Sequence, residues 1–133
     1  MGTVTEQTKN PKLQNSLIIG EGNKISQTDP YVNPAPSSYC RNNIIFGGNN
    51  SIINSINCLV SGWKNTITNG DQSAAIGGNL LVNKRIQMVV GTCNETDSKG
   101  LFIVGNGNAP DSENITRSNA FVVRQNGTAY LQN

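Results

Sequence analysis

The stretch "NNIIFGGNNSII", residues 42–53, joins three apolar residues, a glycine turn and an asparagine pair to a second short apolar run. The same order recurs along the chain, and the glycines that follow the apolar triplets are separated by 27, 15, 15, 14 and 14 residues. These glycines are Gly20, Gly47, Gly62, Gly77, Gly91 and Gly105. Six copies in register make chance a poor explanation, so the pattern indicates a repeat protein with one insertion in its first interval.

A period of 14 to 15 residues is too short for two helices and too long for one strand and a turn. It fits one coil of a β-solenoid, which contains two short strands and two turns. At about 3.3 Å per strand residue, each side of such a coil spans about 13 to 17 Å, and successive coils stack about 4.8 Å apart. The sequence therefore predicts an all-β fold, a parallel β-roll of 14–15-residue coils.

Asparagine and glycine recur at fixed places in the repeat. The chain contains 21 Asn and 14 Gly, the residues that accept left-handed backbone and tight turns at the lowest cost. Where an asparagine follows the glycine by three positions, we expect its amide to bond to the neighbouring coil or to the turn backbone. These asparagines are Asn23, Asn50, Asn65, Asn94 and Asn108. Departures from the pattern at Ser61, Leu80, Thr96 and Pro110 predict less regular final coils.

All three positions before the glycine are apolar in nearly every copy, as in residues 17–19 and 88–90. A half-buried strand alternates apolar and polar residues, so this pattern indicates burial on both faces. A narrow coil covers only its inner face, and the simplest cover for the other face is the same strand of sister chains. We therefore expect a homotrimer, although the N-terminal segment or another domain is an alternative cover. The residues expected at the oligomer interface are Ile18, Ile45, Val60, Val89 and Ile103.

A family resemblance accompanies these repeats. The form "NSLIIGEGNKIS", residues 15–26, resembles the repeats of trimeric autotransporter adhesin heads. The ending "RSNAFVVRQNGTAYLQN", residues 117–133, resembles the closing segment of phage tail fibres and baseplate receptor-binding proteins, which contain the same roll. The resemblance covers about residues 15–133. It implies a left-handed roll, three chains to a head, and a place in the virion beside other tail or baseplate proteins. The alternative is a head-domain fragment of an adhesin on the bacterial cell surface.

The chain divides into three parts. Residues 1–14 are polar and are expected to form an extended arm or attachment segment, and residues 15–119 form the roll. The final segment, residues 120–133, places Asn126-Gly127 between two alternating strands, which is a strong hairpin signal. We expect this hairpin to cap the last coil or to interlock with the other subunits.

Three aromatic residues are the candidate ligand contacts. The insertion at residues 27–40 carries three prolines together with Tyr31 and Tyr39, which is typical of a rigid loop held out to a ligand. Trp63 follows Gly62 at a turn, where its indole would offer a flat face to a sugar ring. Each has a structural alternative: the loop covers the first coil, and Trp63 packs beneath that loop or against a neighbouring subunit.

Charge and hydropathy exclude two classes of partner. The net charge is +2 without a basic run, and aromatic residues make up 5% of the chain, so we expect no nucleic-acid binding. No segment approaches the ~20 apolar residues of a membrane span, so we expect no membrane insertion.

Catalytic and metal-binding patterns are absent from the sequence. The chain has no histidine, so it contains no Ser-His-Asp or Cys-His arrangement, and it has no CxxC spacing. We therefore expect three free thiols, at Cys40, Cys58 and Cys93, and no metal, cofactor or catalytic residue. A polysaccharide-cutting glycosidase is the enzymatic alternative. The leading prediction is a non-enzymatic structural and host-recognition part of a phage tail that contacts cell-surface polysaccharide.

Overall fold

The computed structural model describes residues 15–26 and 40–132, and these residues form two sheets and no helix. The predicted arm at residues 1–14 and the insertion up to residue 39 lie outside the described residues. The strands are β1 (Leu17–Ile19), β2 (Lys24–Ser26), β3 (Ile44–Gly48), β4 (Ser51–Ile53), β5 (Leu59–Trp63), β6 (Thr66–Thr68), β7 (Ala74–Gly78), β8 (Leu81–Val82), β9 (Met88–Thr92), β10 (Gly100–Asn106), β11 (Asn119–Arg124) and β12 (Ala129–Leu131).

The strands stack as the repeat predicts. One sheet has eight strands in the order β1-β3-β5-β7-β9-β10-β11-β12, and the other has four in the order β2-β4-β6-β8. Strands of successive coils pair in parallel with equivalent residues side by side, as Ile45 with Val60 and Ala75 with Val89. The predicted β-solenoid is thereby confirmed. Its left-handed winding and its assembly into a trimer stay predictions.

The core lies between the two sheets. Each coil contributes two residues to the core, the middle residue of its apolar triplet and one aliphatic residue of its second strand. Both side chains are buried. The core residues of the eight-stranded sheet are Ile18, Ile45, Val60, Ala75, Val89, Ile103 and Val122. Those of the four-stranded sheet are Ile25, Ile52, Ile67 and Val82. Full burial of each Ile or Val contributes about 1.5 to 3 kcal/mol, so repetition of the coil accumulates the stability that one narrow coil lacks.

The predicted oligomer interface was placed on the wrong residues. The side chains of Ile18, Ile45, Val60, Val89 and Ile103 are 0–3% exposed inside the chain's own core, so they cannot meet another subunit. Successive side chains of a strand point to opposite faces, so the first and third residues of each triplet face outward. Six of these outward residues are 37–44% exposed, so the chain by itself covers only the inner face of these strands. They are Leu17, Ile44, Phe46, Leu59, Ile76 and Met88.

The high asparagine content is explained in part by the backbone conformation at the corners of the coils. Many corner residues other than glycine have φ between 43° and 58°, the left-handed region that asparagine tolerates best. One corner stacks Asn42, Asn57, Gln72 and Ile86 in successive coils. Another stacks Asn49, Lys64, Asn79 and Cys93. Close packing of successive coils is a further reason why the anchoring positions are glycine. A Cβ on Gly77, whose φ is +143°, would overlap the carbonyl oxygen of Gly91 in the next coil.

The predicted asparagine ladder is present in the first coils. Asn50 accepts a hydrogen bond from the backbone N–H of Asn65 at 2.9 Å, and its amide donates to the carbonyl of Gly62 at 2.9 Å. The ladder ends at the buried Leu80, whose N–H donates to Asn65 at 3.0 Å. Asn94 instead bonds to the backbone of Leu81, and Asn108 is exposed and lies outside the ladder.

A hairpin formed by β11 and β12 continues the eight-stranded sheet at the C-terminal end. Strand β10 pairs in parallel with β9 and antiparallel with β11, and β12 pairs antiparallel with β11. The turn lies at Asn126-Gly127, where Gly127 has φ +83°. The four-stranded sheet ends at β8, so β11 and β12 extend the longer sheet beyond the region that the shorter sheet covers.

Candidate functional site

The outward face of the eight-stranded sheet carries two rows of apolar side chains, here called the outer stripe. The first row contains Leu17, Ile44, Leu59, Ala74, Met88, Phe102, Val123 and Ala129. The second row contains Ile19, Phe46, Ser61, Ile76, Val90, Val104, Phe121 and Leu131. Eight strands at about 4.8 Å make the stripe about 34 Å long, and Ser61 is its single polar member. Contiguous exposed apolar surface of this extent marks an interaction site.

A groove of about 620 Å³ runs beside the first row of the stripe. Its walls are the strand positions Ile44, Leu59 and Met88 and the corner residues Asn57 and Ile86. Ile86 is itself largely exposed, and none of the described residues that line the groove is charged. The groove can therefore accept apolar side chains of another chain without leaving a charge unpaired.

Trp63 projects from the surface with 52% of its area exposed. Its indole lies over Gly48 of the preceding coil, where a Cβ would overlap the ring. Because position 48 is glycine, the indole can pack flat against the backbone there, and much of the ring stays exposed to solvent. The other two predicted ligand contacts, Tyr31 and Tyr39, lie outside the described residues, so a patch formed by all three stays a prediction.

A second cavity, here called the C-terminal cleft, was not predicted. It has a volume of about 490 Å³ and is bounded by residues 95–98 on one side and by β11 and β12 on the other. Arg124 links its two sides: the guanidinium Nε donates to Asp97 Oδ2 at 2.7 Å and Nη1 donates to the Tyr130 hydroxyl at 3.0 Å. The guanidinium carbon also lies 4.5 Å from the centre of the Tyr130 ring, a cation–π contact.

The electrostatics of the cleft keep this pair ionised. Partial burial raises the pKa of Asp97, but the hydrogen bond from Arg124 and backbone N–H donors outweigh burial and lower that pKa overall. The same hydrogen bond raises the pKa of Arg124. Asp97 and Arg124 are 27 residues apart in the chain. The contact between Asp97 and Arg124 depends on the antiparallel pairing of β11 with β10. The sequence indicated the hairpin but not this contact.

The cysteines are free, as predicted, and all three are buried. Burial raises the pKa of the Cys58 thiol to about 11, and it also raises the pKa of Cys40. The Cys58 thiol donates to the carbonyl of Gly70 at 3.1 Å, and the Cys40 thiol donates to that of Ser26 at 3.2 Å. These thiols fill the core and its corners and are poor nucleophiles at neutral pH.

Residues 15–26 and 40–132 contain neither a side-chain cluster suited to a metal ion nor a helix long and apolar enough to cross a membrane. Comparisons of the chain with protein-family models, with curated proteins and with solved structures found no match. The resemblance to adhesin heads and phage tail proteins therefore rests on the repeat and on the closing segment of the sequence.

Proposed function

We propose that this protein is a non-enzymatic structural and host-recognition part of a phage tail, assembled as a homotrimer in the virion. The observation that carries the proposal is the outer stripe, an apolar surface about 34 Å long on the face of the sheet opposite the core. A surface of this kind requires a partner, and the solenoid provides a stiff, regular element to build a fibre, spike or baseplate part.

The repeat favours a second copy of the chain as that partner. The stripe presents side chains at the spacing of the coils, so a surface with the same spacing can match it over its whole length. The lining of the groove beside the stripe, as far as the structure describes it, is uncharged, which suits the apolar rows of a neighbouring copy. Closed cyclic symmetry turns each stripe toward a common axis and leaves no copy with an uncovered face. Other tail or baseplate proteins would then meet the ends of the trimer.

Trp63 supports the recognition part of the proposal. A flat, exposed indole on a rigid coil is a suitable surface for a sugar ring, and Tyr31 and Tyr39 of the insertion would extend it. One shallow sugar site reaches about millimolar affinity, near 4 kcal/mol. Three sites on one particle bind together, and avidity strengthens attachment by about two to four orders of magnitude.

Two of the acidic residues, Asp97 and Asp111, are poorly suited to act as the acid of a glycosidase. A glycosidase needs one carboxyl group whose pKa is raised so that it can donate a proton. The pKa values of Asp97 and Asp111 are both lowered, the second by hydrogen bonds from Asn114 and from the backbone N–H of Glu113. Both groups therefore stay ionised at neutral pH and are poor general acids.

The test combines mass with cell binding. Light scattering of the purified protein should give three times the chain mass of 14.2 kDa. Fluorescently labelled protein should bind to some strains of a panel of Gram-negative and Gram-positive bacteria, and polysaccharide extracted from those strains should compete. Replacement of Tyr31, Tyr39 and Trp63 by alanine should leave the mass unchanged and abolish binding through this patch. A monomeric protein, or one that binds no strain, would overturn the proposal.

A further inference from the structure

The C-terminal cleft lies where the core comes to an open end. Ile103, Val122 and Tyr130 are neighbours in register across β10, β11 and β12, so they continue the inner row of the eight-stranded sheet. Val122 is still buried, but Tyr130 is 43% exposed because the four-stranded sheet ends at β8. The inner row therefore terminates in an aromatic ring that faces a cavity rather than a second sheet.

The opposite wall of the cleft is held by a buried asparagine. The amide of Asn119 donates to the carbonyl of Glu95 at 2.8 Å, and its oxygen accepts from the N–H of Glu95 at 3.0 Å. These bonds use only the backbone of Glu95, whose side chain is exposed along with those of Thr96 and Ser98. A fixed backbone thus presents hydroxyl and carboxylate groups toward the cavity.

The aromatic ring is also fixed before any ligand arrives. Arg124 lies against the Tyr130 ring and donates to its hydroxyl, while its Nε is bound to Asp97. The Asp97 carboxylate accepts in addition from the N–H of Lys99 at 2.8 Å. Because these contacts already restrict the tyrosine, a ligand that packs on it loses less free energy to ordering of the site.

We propose that the C-terminal cleft binds a neutral pyranose ring of a cell-surface glycan, packed against Tyr130 and hydrogen-bonded to the side chains of Glu95 and Gln132. The inference rests on the proposed role in host recognition, and it adds a second glycan contact at the end of the solenoid to the patch around Trp63. The volume of about 490 Å³ is within the usual range for small-ligand sites.

The charges of the cleft select against acidic sugars. Its charged lining consists of Glu95, Asp97 and Arg124, two carboxylates and one guanidinium. The guanidinium is already paired with Asp97, so the described lining of the cleft offers a uronate or a phosphate no unpaired cation. Carboxylates are good acceptors for sugar hydroxyls, and an exposed aromatic ring packs against the C–H face of a pyranose.

The direct test is a titration followed by NMR. The ¹⁵N-labelled full chain is titrated to about 100 mM with methyl glycosides of glucose, galactose and rhamnose and with N-acetylglucosamine. At least one of these sugars should shift the amide signals of residues 95–98 and 130–132, with a dissociation constant near the millimolar range. Methyl glucuronide should bind at least about ten-fold more weakly. If no neutral sugar shifts these signals, or if the shifts lie elsewhere, the proposal is wrong.

Substitutions in the cleft test whether the Tyr130 ring and the Glu95 carboxylate contribute to sugar binding. Tyr130→Ala should weaken binding at least about ten-fold, and Tyr130→Phe, which keeps the ring, should stay within about three-fold of the wild type. Glu95→Gln is a second, independent test, because the Glu95 side chain makes none of the contacts to Asn119 and its replacement should leave the fold intact. We expect this variant to weaken sugar binding several-fold. Thr68→Ala on β6 is the control, because Thr68 is outside the lining of the cleft, and it should leave the affinity of the cleft unchanged. Unchanged binding in both Tyr130→Ala and Glu95→Gln would overturn the proposal.

Cell binding then distinguishes this inference from the proposed function. If the wild type binds cells and Tyr130→Ala binds them equally well, the cleft is not the recognition site, while the tail role stands. If the cleft binds a sugar and the wild type binds no strain, the site is supported and the tail role is overturned.

Discussion

Asn50 and Asn65 form a direct link between two successive coils, since the buried side-chain oxygen of Asn50 accepts the backbone N–H of Asn65 at 2.9 Å. The amide of Asn65 continues the chain of bonds to the carbonyl of Gly77 at 2.9 Å. A buried polar group that loses its partner costs about 1 to 3 kcal/mol. The ladder therefore holds coil spacing and register as strongly as the apolar core does at these positions.

The first prediction concerns this ladder. Asn65→Leu removes the acceptor of the Leu80 N–H and the donor to Gly77, so we expect the free energy of unfolding to fall by about 2 to 4 kcal/mol. Leucine is the residue that the chain itself carries at the equivalent position 80, fully buried. Urea denaturation followed by circular dichroism measures the change. The control is Asn108→Ala at an exposed position, and an equally small effect of both variants would contradict a structural role for the ladder.

The second prediction uses two adjacent glycines. A Cβ at Gly77 would overlap the carbonyl oxygen of Gly91 at a φ of +143°, whereas a Cβ at Gly78 would have its nearest neighbours at 3.9 and 4.0 Å. We expect Gly77→Ala to lower the free energy of unfolding by at least about 2 kcal/mol and Gly78→Ala to change it by less than about 0.5 kcal/mol. Thermal and urea unfolding of the two variants side by side provide the measurement. Equal losses would show that the coils are not packed backbone to backbone at this glycine.

The third prediction concerns Cys58 and alkaline pH. Burial raises the pKa of this thiol to about 11, so the folded state keeps the proton after the unfolded state has lost it. The resulting stabilisation is complete below about pH 9 and is lost as the pH rises toward 11, by up to about 3 kcal/mol. Urea titrations at several pH values should show the gap between wild type and Cys58→Ala narrowing over this interval.

Labelling provides the check on the thiols. At pH 8 the native protein should react with a thiol reagent far more slowly than the denatured protein, which should take up three equivalents. A pH-independent gap between wild type and Cys58→Ala, or rapid labelling of the native chain, would contradict a protonated, buried Cys58.

The architecture was predictable because the same backbone contact is repeated in every coil. The anchoring glycines from Gly20 to Gly91 each lie where the carbonyl oxygen of the next coil leaves no room for a side chain, so the same requirement recurs from coil to coil. The asparagine at the ladder position obeys a similar repeated requirement. Periodic constraints of this kind are visible in one sequence without any knowledge of long-range contacts.

Two features were not predictable from the pattern alone. A run of three apolar residues does not say which one faces inward, so the pattern did not show that residues such as Val60 lie in the core and that their neighbours are the exposed ones. The C-terminal cleft depends on the antiparallel register that sets Tyr130 beside Val122 and brings Arg124 to Asp97. Such a register is decided by packing at the end of the core and leaves no periodic signal.

The last prediction tests which face of the triplets meets another subunit. Phe46 lies on the outer stripe and Val60 lies in the core of the adjacent coil. In a trimer, Phe46→Asp would bury an unpaired charge between chains but would expose it in a monomer, so we expect a folded protein with the mass of one chain. Val60→Asp buries the charge inside the coil and should unfold the chain itself.

Size-exclusion chromatography with light scattering and far-ultraviolet circular dichroism measure the two outcomes separately. Thr68→Asp introduces the same charge on β6 of the four-stranded sheet and should leave both mass and β-sheet signal unchanged. If Phe46→Asp retains the full oligomer mass, the outer stripe is not the contact surface. If Val60→Asp gives a folded monomer, the inner and outer faces are assigned the wrong way round, because only a residue outside the core tolerates an unpaired charge.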